Sequence, residues 1–252
     1  MKLTLIGAGK LGKQLYREFV KHPSIELTQW LSRSASTSIT AEGIELINAT
    51  QKLRLTACYL IAVNDESIAS VSSQLPTDAL VIHTSGGTEI EALSRHKRRG
   101  VFYPIQSFSP ERIINFSGLP IGIEASEKND LKHLELLVKT MNAKTVYLDS
   151  KQRKAIHLAA VLVNNFTNHL FTQAAQVCRQ NELPFDLLKP LIHETINKLD
   201  ELSPYEAQTG PALRNDTETL KAHSKIIQNK ELKSIYSLLS QTIMTHHSNE
   251  KL

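Results

Sequence analysis

The chain has 252 residues, 41% hydrophobic and 21% charged, with a net charge of +4. That length suits one large or two ordinary domains, and with no low-complexity tract and no clear internal repeat the fibrous and disordered classes are excluded. No apolar run approaches the ~20 residues of a membrane span, and Met1 leads into a strand pattern rather than a signal peptide, so a cytoplasmic protein is expected. Cys58 and Cys178 fall in an expected strand and an expected helix and read as free thiols. No metal site is expected. The one tight basic cluster, residues 95–99, is placed in the last turn of a helix, where the dipole favours cations, rather than in a nucleic-acid patch.

The first element is LTLIGAGKLG, residues 3–12: an apolar strand, glycines at 7, 9 and 12, and helix-forming residues from Lys10. In a strand-turn-helix unit, Gly7 allows the sharp turn, Gly9 lets a pyrophosphate approach the backbone, and Gly12 lets the helix pack closely on the strand. Helix N–H groups and the dipole then face the phosphates, so Gly7, Ala8, Gly9, Lys10, Leu11 and Gly12 are the expected pyrophosphate residues of a dinucleotide site.

An amphipathic helix follows over residues 13–22 and Pro23 ends it. The strand IELTQWLSRS then ends about twenty residues beyond the glycines, where an acid would mark NAD. Ser32, Arg33 and Ser34 stand there instead, a cation with two hydroxyls, which suits the 2′-phosphate of NADP. ACYLIAV, residues 57–63, has the continuous apolar character of a buried parallel strand. Its end, Ala62, Val63, Asn64 and Asp65, should line the cofactor cleft, with Asp65 as the N-cap of the next helix. The strand LVIHTSGG brings His83 and Ser85 to the same edge, His83 either as a contact to cofactor or substrate or as a hydrogen-bonded structural histidine, and a helix is expected over residues 88–99. GVFYPIQSFSP runs a strand into Pro104 and then sets Gln106 and Ser107 on a pocket wall. Strands PIGIEAS and KTVYLD flank a helix over residues 129–141. Residues 1–150 are thus expected to form an α/β domain with a doubly wound sheet.

Beyond residue 150 no strand pattern remains, and residues 151–252 are expected to be an all-α domain. Residues 150–182 lack proline and glycine and form a helix roughly 50 Å long. Its face carries His157, Asn164 and Asn168 with Asn165 beside them, amides that need partners if buried. Its apolar residues cover much of its circumference, so a second subunit, and a homodimer, is expected. In TGPALRND, residues 209–216, Arg214 is either paired to Asp216 or free to hold a substrate carboxylate.

Taken together, GAGKLG, HTSGG, YPIQSFSP, RKAIHLAAVLVNNF and TGPALRND are similar to a family of bacterial proteins with a Rossmann-like N-terminal domain and a DUF2520-type C-terminal domain. Its members are described as candidate NADP-dependent oxidoreductases, distantly related to ketopantoate, pyrroline-5-carboxylate and β-hydroxyacid reductases. The resemblance implies a 6-phosphogluconate dehydrogenase C-terminal-like helical domain for substrate binding and dimerisation. This chain departs from the family in three places. Tyr103 stands where a histidine is common before the proline of HP-x-x-S-F, and Asn215 where glycine is common, a residue that tolerates the left-handed conformation. Val161 stands where β-hydroxyacid dehydrogenases carry a lysine that serves as acid and base.

These readings give a hydride transfer between NADPH and a small carbonyl or imine held between the domains, with His157, Asn165, Gln106, Ser107 and Arg214 at the substrate. The alternative, which Val161 favours, is an NADP-binding sensor or scaffold without turnover.

Overall fold

The computed structural model of the chain describes residues 1–35 and 38–248. It divides into two compact units, Met1–Asn164 and Asn165–Leu252. In the first unit β1 (Lys2–Ile6) leads into α1 (Lys10–Phe19), followed by β2 (Glu26–Leu31) and the short β3 (Glu45–Ile47). Next come β4 (Cys58–Ile61), α2 (Ile68–Ser72), β5 (Leu80–His83), β6 (Arg99–Pro104), β7 (Pro120–Ala125), α3 (Lys128–Thr140), β8 (Lys144–Tyr147) and α4 (Ser150–Ala160). Among the described residues the strands form one sheet in the order β3-β2-β1-β4-β5-β6-β7-β8. Every neighbouring pair is parallel except β6 with β7. The order runs outward from β1 on one side and from β4 on the other, so the sheet is Rossmann-like and its switch point lies between β1 and β4.

Both faces of the sheet are covered, which is why its central strands read as largely apolar runs. Leu3, Leu5, Leu60 and Ile82 pack with Leu15 and Phe19 of α1 and Leu134 and Leu137 of α3. The alternate positions Ile6, Tyr59, Ile61 and Val81 pack with Ile68 of α2, Leu75 and Leu93. Cys58 lies in the first of these cores.

Three local expectations fail. Residues 88–99 carry only a 3₁₀ turn at Ile90–Leu93, because β6 already begins at Arg99. The basic cluster is therefore not a helix end: Arg98 is 2.6 Å from the buried Asp130 carboxylate, Arg99 is 2.9 Å from Glu91, and buried His96 bonds Ser72. Asp65 opens a 3₁₀ turn, Asp65–Ser67, behind Asn64 at the cap position, and no side chain caps it.

A π-helical segment, Val161–Phe166, carries α4 on into α5 (Thr167–Gln180), and the division between the units falls inside it. α6 (Lys189–Asn197), α7 (Thr217–Ile226) and α8 (Lys230–Ser248) follow. Among the described residues of the second unit Ala212 is the only buried hydrophobic one, while Phe166 is 56% exposed and Leu191 62%. No helix among the described residues is long and apolar enough to cross a membrane.

Gly12 shows how tightly α1 is set on the sheet, since a Cβ there would lie 2.3 Å from the Gly7 carbonyl oxygen. Alanine within a helix ordinarily gains about 1 kcal/mol over glycine. Here it must drive the glycine turn and the helix apart, so G12A is expected to lower stability by about 2 kcal/mol or more. A urea midpoint equal to or above the parent's would contradict this packing.

Candidate functional site

The carboxyl ends of β1, β2 and β4 open on a cleft of about 550 Å³. Gly7, Ala8 and Gly9 line it after β1, Ser32, Arg33 and Ser34 after β2, and Ala62, Val63 and Asn64 after β4. Gly7 has φ +112°, and a Cβ there would lie 2.2 Å from the Ala62 carbonyl oxygen, whereas nothing lies within 4 Å of one at Gly9. The turn is held from behind: the Trp30 indole N–H donates to the Gly7 carbonyl at 2.9 Å, and the ring stacks on Tyr16 at 4.3 Å. The Tyr16 hydroxyl in turn bonds Thr40 and the Glu42 carboxylate. The Ser32 and Ser34 hydroxyls are 3.4 Å apart, and Arg33 is exposed without an ion pair among the described residues.

The cleft also has walls that the sequence did not announce. Asn48, Thr50 and Gln51 come from the segment after β3, and Ser67, Ser70 and Gln74 from α2 and its ends. Thr50 donates to Gln74 Oε1, and Gln74 Nε2 donates to the Ser70 carbonyl at 3.0 Å, which ties the two walls together. Of the other expected cofactor residues, Lys10, Leu11 and Gly12 form the first turn of α1, Asp65 opens the 3₁₀ turn, and His83 and Ser85 stand at the end of β5; none lines the cleft.

Those last residues belong to a second cluster, at the carboxyl ends of β4, β5 and β6. His83 is fully buried and its Nδ1 accepts from the Ser85 N–H at 3.1 Å, while its Nε2 is buried without a partner among the described residues. The Ser85 hydroxyl accepts from the N–H groups of Gly87 and Thr88 and folds the loop. Through this loop runs Arg153 of α4, a fully buried guanidinium that donates to the carbonyls of Ser85, Gly86 and Thr88, the Glu124 carboxylate at 3.0 Å and the Ser150 hydroxyl at 2.9 Å. One turn further along α4, His157 Nδ1 lies 3.1 Å from the Tyr103 hydroxyl, the two rings meeting edge to face. A Cβ on Gly86 would lie 2.7 Å from both His157 Nδ1 and Tyr103 Cζ, so only glycine lets the loop come this close. The next glycine, Gly87, lies between Asp65 and His157: a Cβ there would be 3.5 Å from Asp65 Oδ2 and 3.8 Å from His157 Cδ2. Burial pushes the Tyr103 phenol above its ordinary value, and the Arg153 charge opposes that.

Gln106 and Ser107, of the same unit, do not join this cluster. Gln106 and Ser107 are exposed on the loop after β6, with Gln106 Oε1 accepting from the Ser107 N–H at 2.8 Å. Asn165 and Arg214 are exposed residues of the second unit. The π segment widens the turn to i→i+5, so the 3.6-residue count that put His157, Asn164 and Asn168 on one face does not hold across it. The three asparagines are exposed rather than buried. Asp216 does not pair with Arg214: its carboxylate accepts from the Thr219 N–H and hydroxyl and caps α7, while Asn215 takes φ 55° in the turn before it. Burial pushes the Cys58 thiol up to about 12, which removes it as a nucleophile near neutrality, and no metal-binding cluster occurs among the described residues.

Arg153, Glu124 and the Tyr103 contact were missed by sequence reasoning. The available signals were a glutamate inside the apolar strand PIGIEAS and an arginine one turn before His157.

Burial, and then the Arg153 charge, hold His83 down at about 4. The unfolded chain protonates its histidines near 6.5, so between those values it binds the extra proton and stability rises with pH. This contribution is complete above about pH 6.5 and is lost as pH falls through 4, a change of order 3 kcal/mol. Urea midpoints measured from pH 4 to 7 should climb, and H83Q should flatten the climb.

No curated protein matches the chain. Residues 119–243 match the family described as "Domain of unknown function (DUF2520)", a span that takes in β7, α3 and β8 as well as helices. Among solved structures, the Bacteroides fragilis protein BF3122, named as a candidate NADP oxidoreductase, is 32% identical over 97% of this chain and 98% of its own, with a TM-score of 0.84. The Thermotoga maritima protein TM1727 shares the fold at 22% identity and a TM-score of 0.75, over 99% of this chain and 100% of its own. A reductive aminase from Aspergillus terreus, in complex with NADPH and ethyl-5-oxohexanoate, shares it at 15% identity and 0.71, over 97% of this chain and 94% of its own. With a third of its residues shared across nearly the whole length of BF3122 and the DUF2520 match over its second half, the chain belongs to the DUF2520 family of Rossmann-like proteins.

Proposed function

We propose that this protein is an NADP(H)-dependent oxidoreductase that transfers a hydride between the nicotinamide and a small carbonyl or imine. The observation that carries the reading is the glycine turn: Gly7 and Gly12 are packed against backbone on the protein side, while the position of a Gly9 side chain is open. That is the asymmetry a pyrophosphate needs, with the unpaired N–H groups at the start of α1 facing it. Gly7, Ala8 and Gly9 line the pyrophosphate, towards which the Lys10, Leu11 and Gly12 N–H groups of the first helical turn are turned, and Ser32, Arg33 and Ser34 hold the 2′-phosphate, Arg33 having no ion pair among the described residues. Ala62, Val63, Asn64, Asp65, His83 and Ser85 shape the backbone along which the rest of the cofactor lies. The NADP in the name of BF3122 and the NADPH bound to the Aspergillus enzyme support the choice of cofactor. Bound NADPH would supply the hydride. His157 manages a proton, and Gln106 and Ser107 of the same unit offer donors to the substrate.

Trp30 is the single tryptophan, and its indole is bonded to the glycine turn, so its emission reports cofactor binding. G9A should keep the parent's urea midpoint yet bind NADPH about tenfold or more weakly, ~1.4 kcal/mol. R33A should cost NADPH ten- to hundredfold, about 1.5 to 3 kcal/mol, and leave NADH binding unchanged. Tighter binding of NADH than NADPH by the parent would sink the 2′-phosphate assignment. NADPH binding without oxidation across small keto acids and imines would favour a sensor.

The same proposal makes the protein a homodimer through the helices of the second unit. Phe166, Leu170, Leu187, Leu191 and Leu238 are all exposed in the single chain, more apolar surface than a stable monomer ordinarily leaves in water. Sedimentation equilibrium at micromolar concentration should give a dimer, and F166D should shift it toward monomer; a monomeric parent would contradict the proposal.

A further inference from the structure

We infer that Tyr103 is the proton donor of the reaction, with His157 bonded to its phenolic oxygen and returning the proton. The inference rests on the reductase reading and adds a residue that reading leaves out. Reduction of a carbonyl or imine needs a hydride at carbon and a proton at the oxygen or nitrogen. Tyr103 is well placed to give that proton. It sits at the carboxyl end of β6, on the edge of the sheet where parallel strands present ligands. Its hydroxyl is 3.1 Å from His157 Nδ1, and the loop after β5 presses against both rings at Gly86. With the Nδ1–H donating to the phenolic oxygen, the O–H of Tyr103 is released from the imidazole to point at another acceptor.

The step balances. As the hydride, from NADPH, adds to the carbon of C=O or C=N, the π electron pair moves to the oxygen or nitrogen. The Tyr103 O–H bond breaks and its proton goes to that atom, leaving a phenolate. His157 passes its Nδ1 proton to the phenolate as the Nε2 of the half-buried ring takes up a solvent proton, so the net step consumes one proton from the medium. The charged groups around the pair are Arg153, one turn back on α4 and bonded to Glu124, and Asp65 across Gly87. The Arg153 charge favours the phenolate, against the burial that disfavours it.

A packing role predicts something different, because phenylalanine keeps the ring and its contacts. Parent, Y103F, Y103H and H157N are assayed for NADPH oxidation with pyruvate and with the cyclic imine 1-pyrroline, and NADPH affinity is read from Trp30 emission. Y103F should lower kcat by about 10² or more at the parent's NADPH affinity. Y103H, which restores a titratable group at the same place, should recover at least a tenth of the loss. Independently of turnover, the ¹⁵N resonance of His157 Nδ1 should move on Y103F, reporting the lost hydrogen bond. Parental kcat in Y103F, or an unmoved His157 resonance, overturns the inference and leaves the reductase reading standing. A parent that binds NADPH but oxidises it with neither compound overturns both.

Discussion

The structure depends most on one buried cation. Arg153 is wholly withdrawn from water, and a charge so placed survives only if it is paired and most of its donors are met; its Nε has no partner among the described residues. Its two terminal nitrogens reach the carbonyls of Ser85, Gly86 and Thr88, the Glu124 carboxylate and the Ser150 hydroxyl. Those acceptors come from the loop after β5, from β7 and from the start of α4, so one side chain fixes three segments far apart in the sequence. Breaking a buried pair of this kind costs roughly 3–5 kcal/mol, because the remaining partner is left charged and unmatched. The position of His157 follows from this: four residues along the same helix, it can only stand where Arg153 puts that face of α4.

The glycine turn at β1 is set by a different means. There no charge is buried; the constraint is contact between backbones, Gly7 against Ala62 and Gly12 against Gly7. Trp30 adds the directional part with its indole bond to the Gly7 carbonyl, and Tyr16 stacks behind it. A turn held this rigidly carries little ordering cost when a ligand arrives, which is where preorganised sites gain affinity. The two ends of the sheet edge thus use different physics, steric closure under the cleft and a charge network under the Tyr103–His157 pair.

The parts of this architecture that were legible in the sequence are those set by local pattern. Strand β4 is an unbroken apolar run, and β1 and β5 nearly so, because both faces are covered, and the three glycines follow β1 at the spacing their contacts require. Tertiary pairing was not legible. Helical periodicity treats Arg153 as a solvated residue, and only the partner Glu124, an acid in an apolar strand, hinted otherwise. Residues 88–99 have helix-forming composition, but the parallel pairing of β6 with β5 takes Arg99 and Gly100 into the sheet and leaves room for a single turn. The π segment at Val161–Phe166 shifts the helix face by a hydrogen-bonding change that no 3.6-residue count contains. β3 was missed because three residues are too few to show an alternation.

The proposed reduction needs a proton, and burial discriminates between the groups at this edge of the sheet that could supply it. His83 is sealed: its ring is fully buried, its Nδ1 is taken by the Ser85 N–H, and its neutral form is held down to about 4. A group that meets no water and stays neutral near pH 7 can shape the loop but cannot cycle a proton at each turnover. The Tyr103–His157 pair differs in the respect that counts: Tyr103 is itself buried, but the imidazole bonded to it is half-buried and so keeps access to solvent. A phenol whose charge is disfavoured by burial holds its proton until an acceptor develops charge beside it, and the nearby Arg153 lowers the cost of giving it up. The cation that fixes the geometry of this edge therefore also tunes the group best placed to use it.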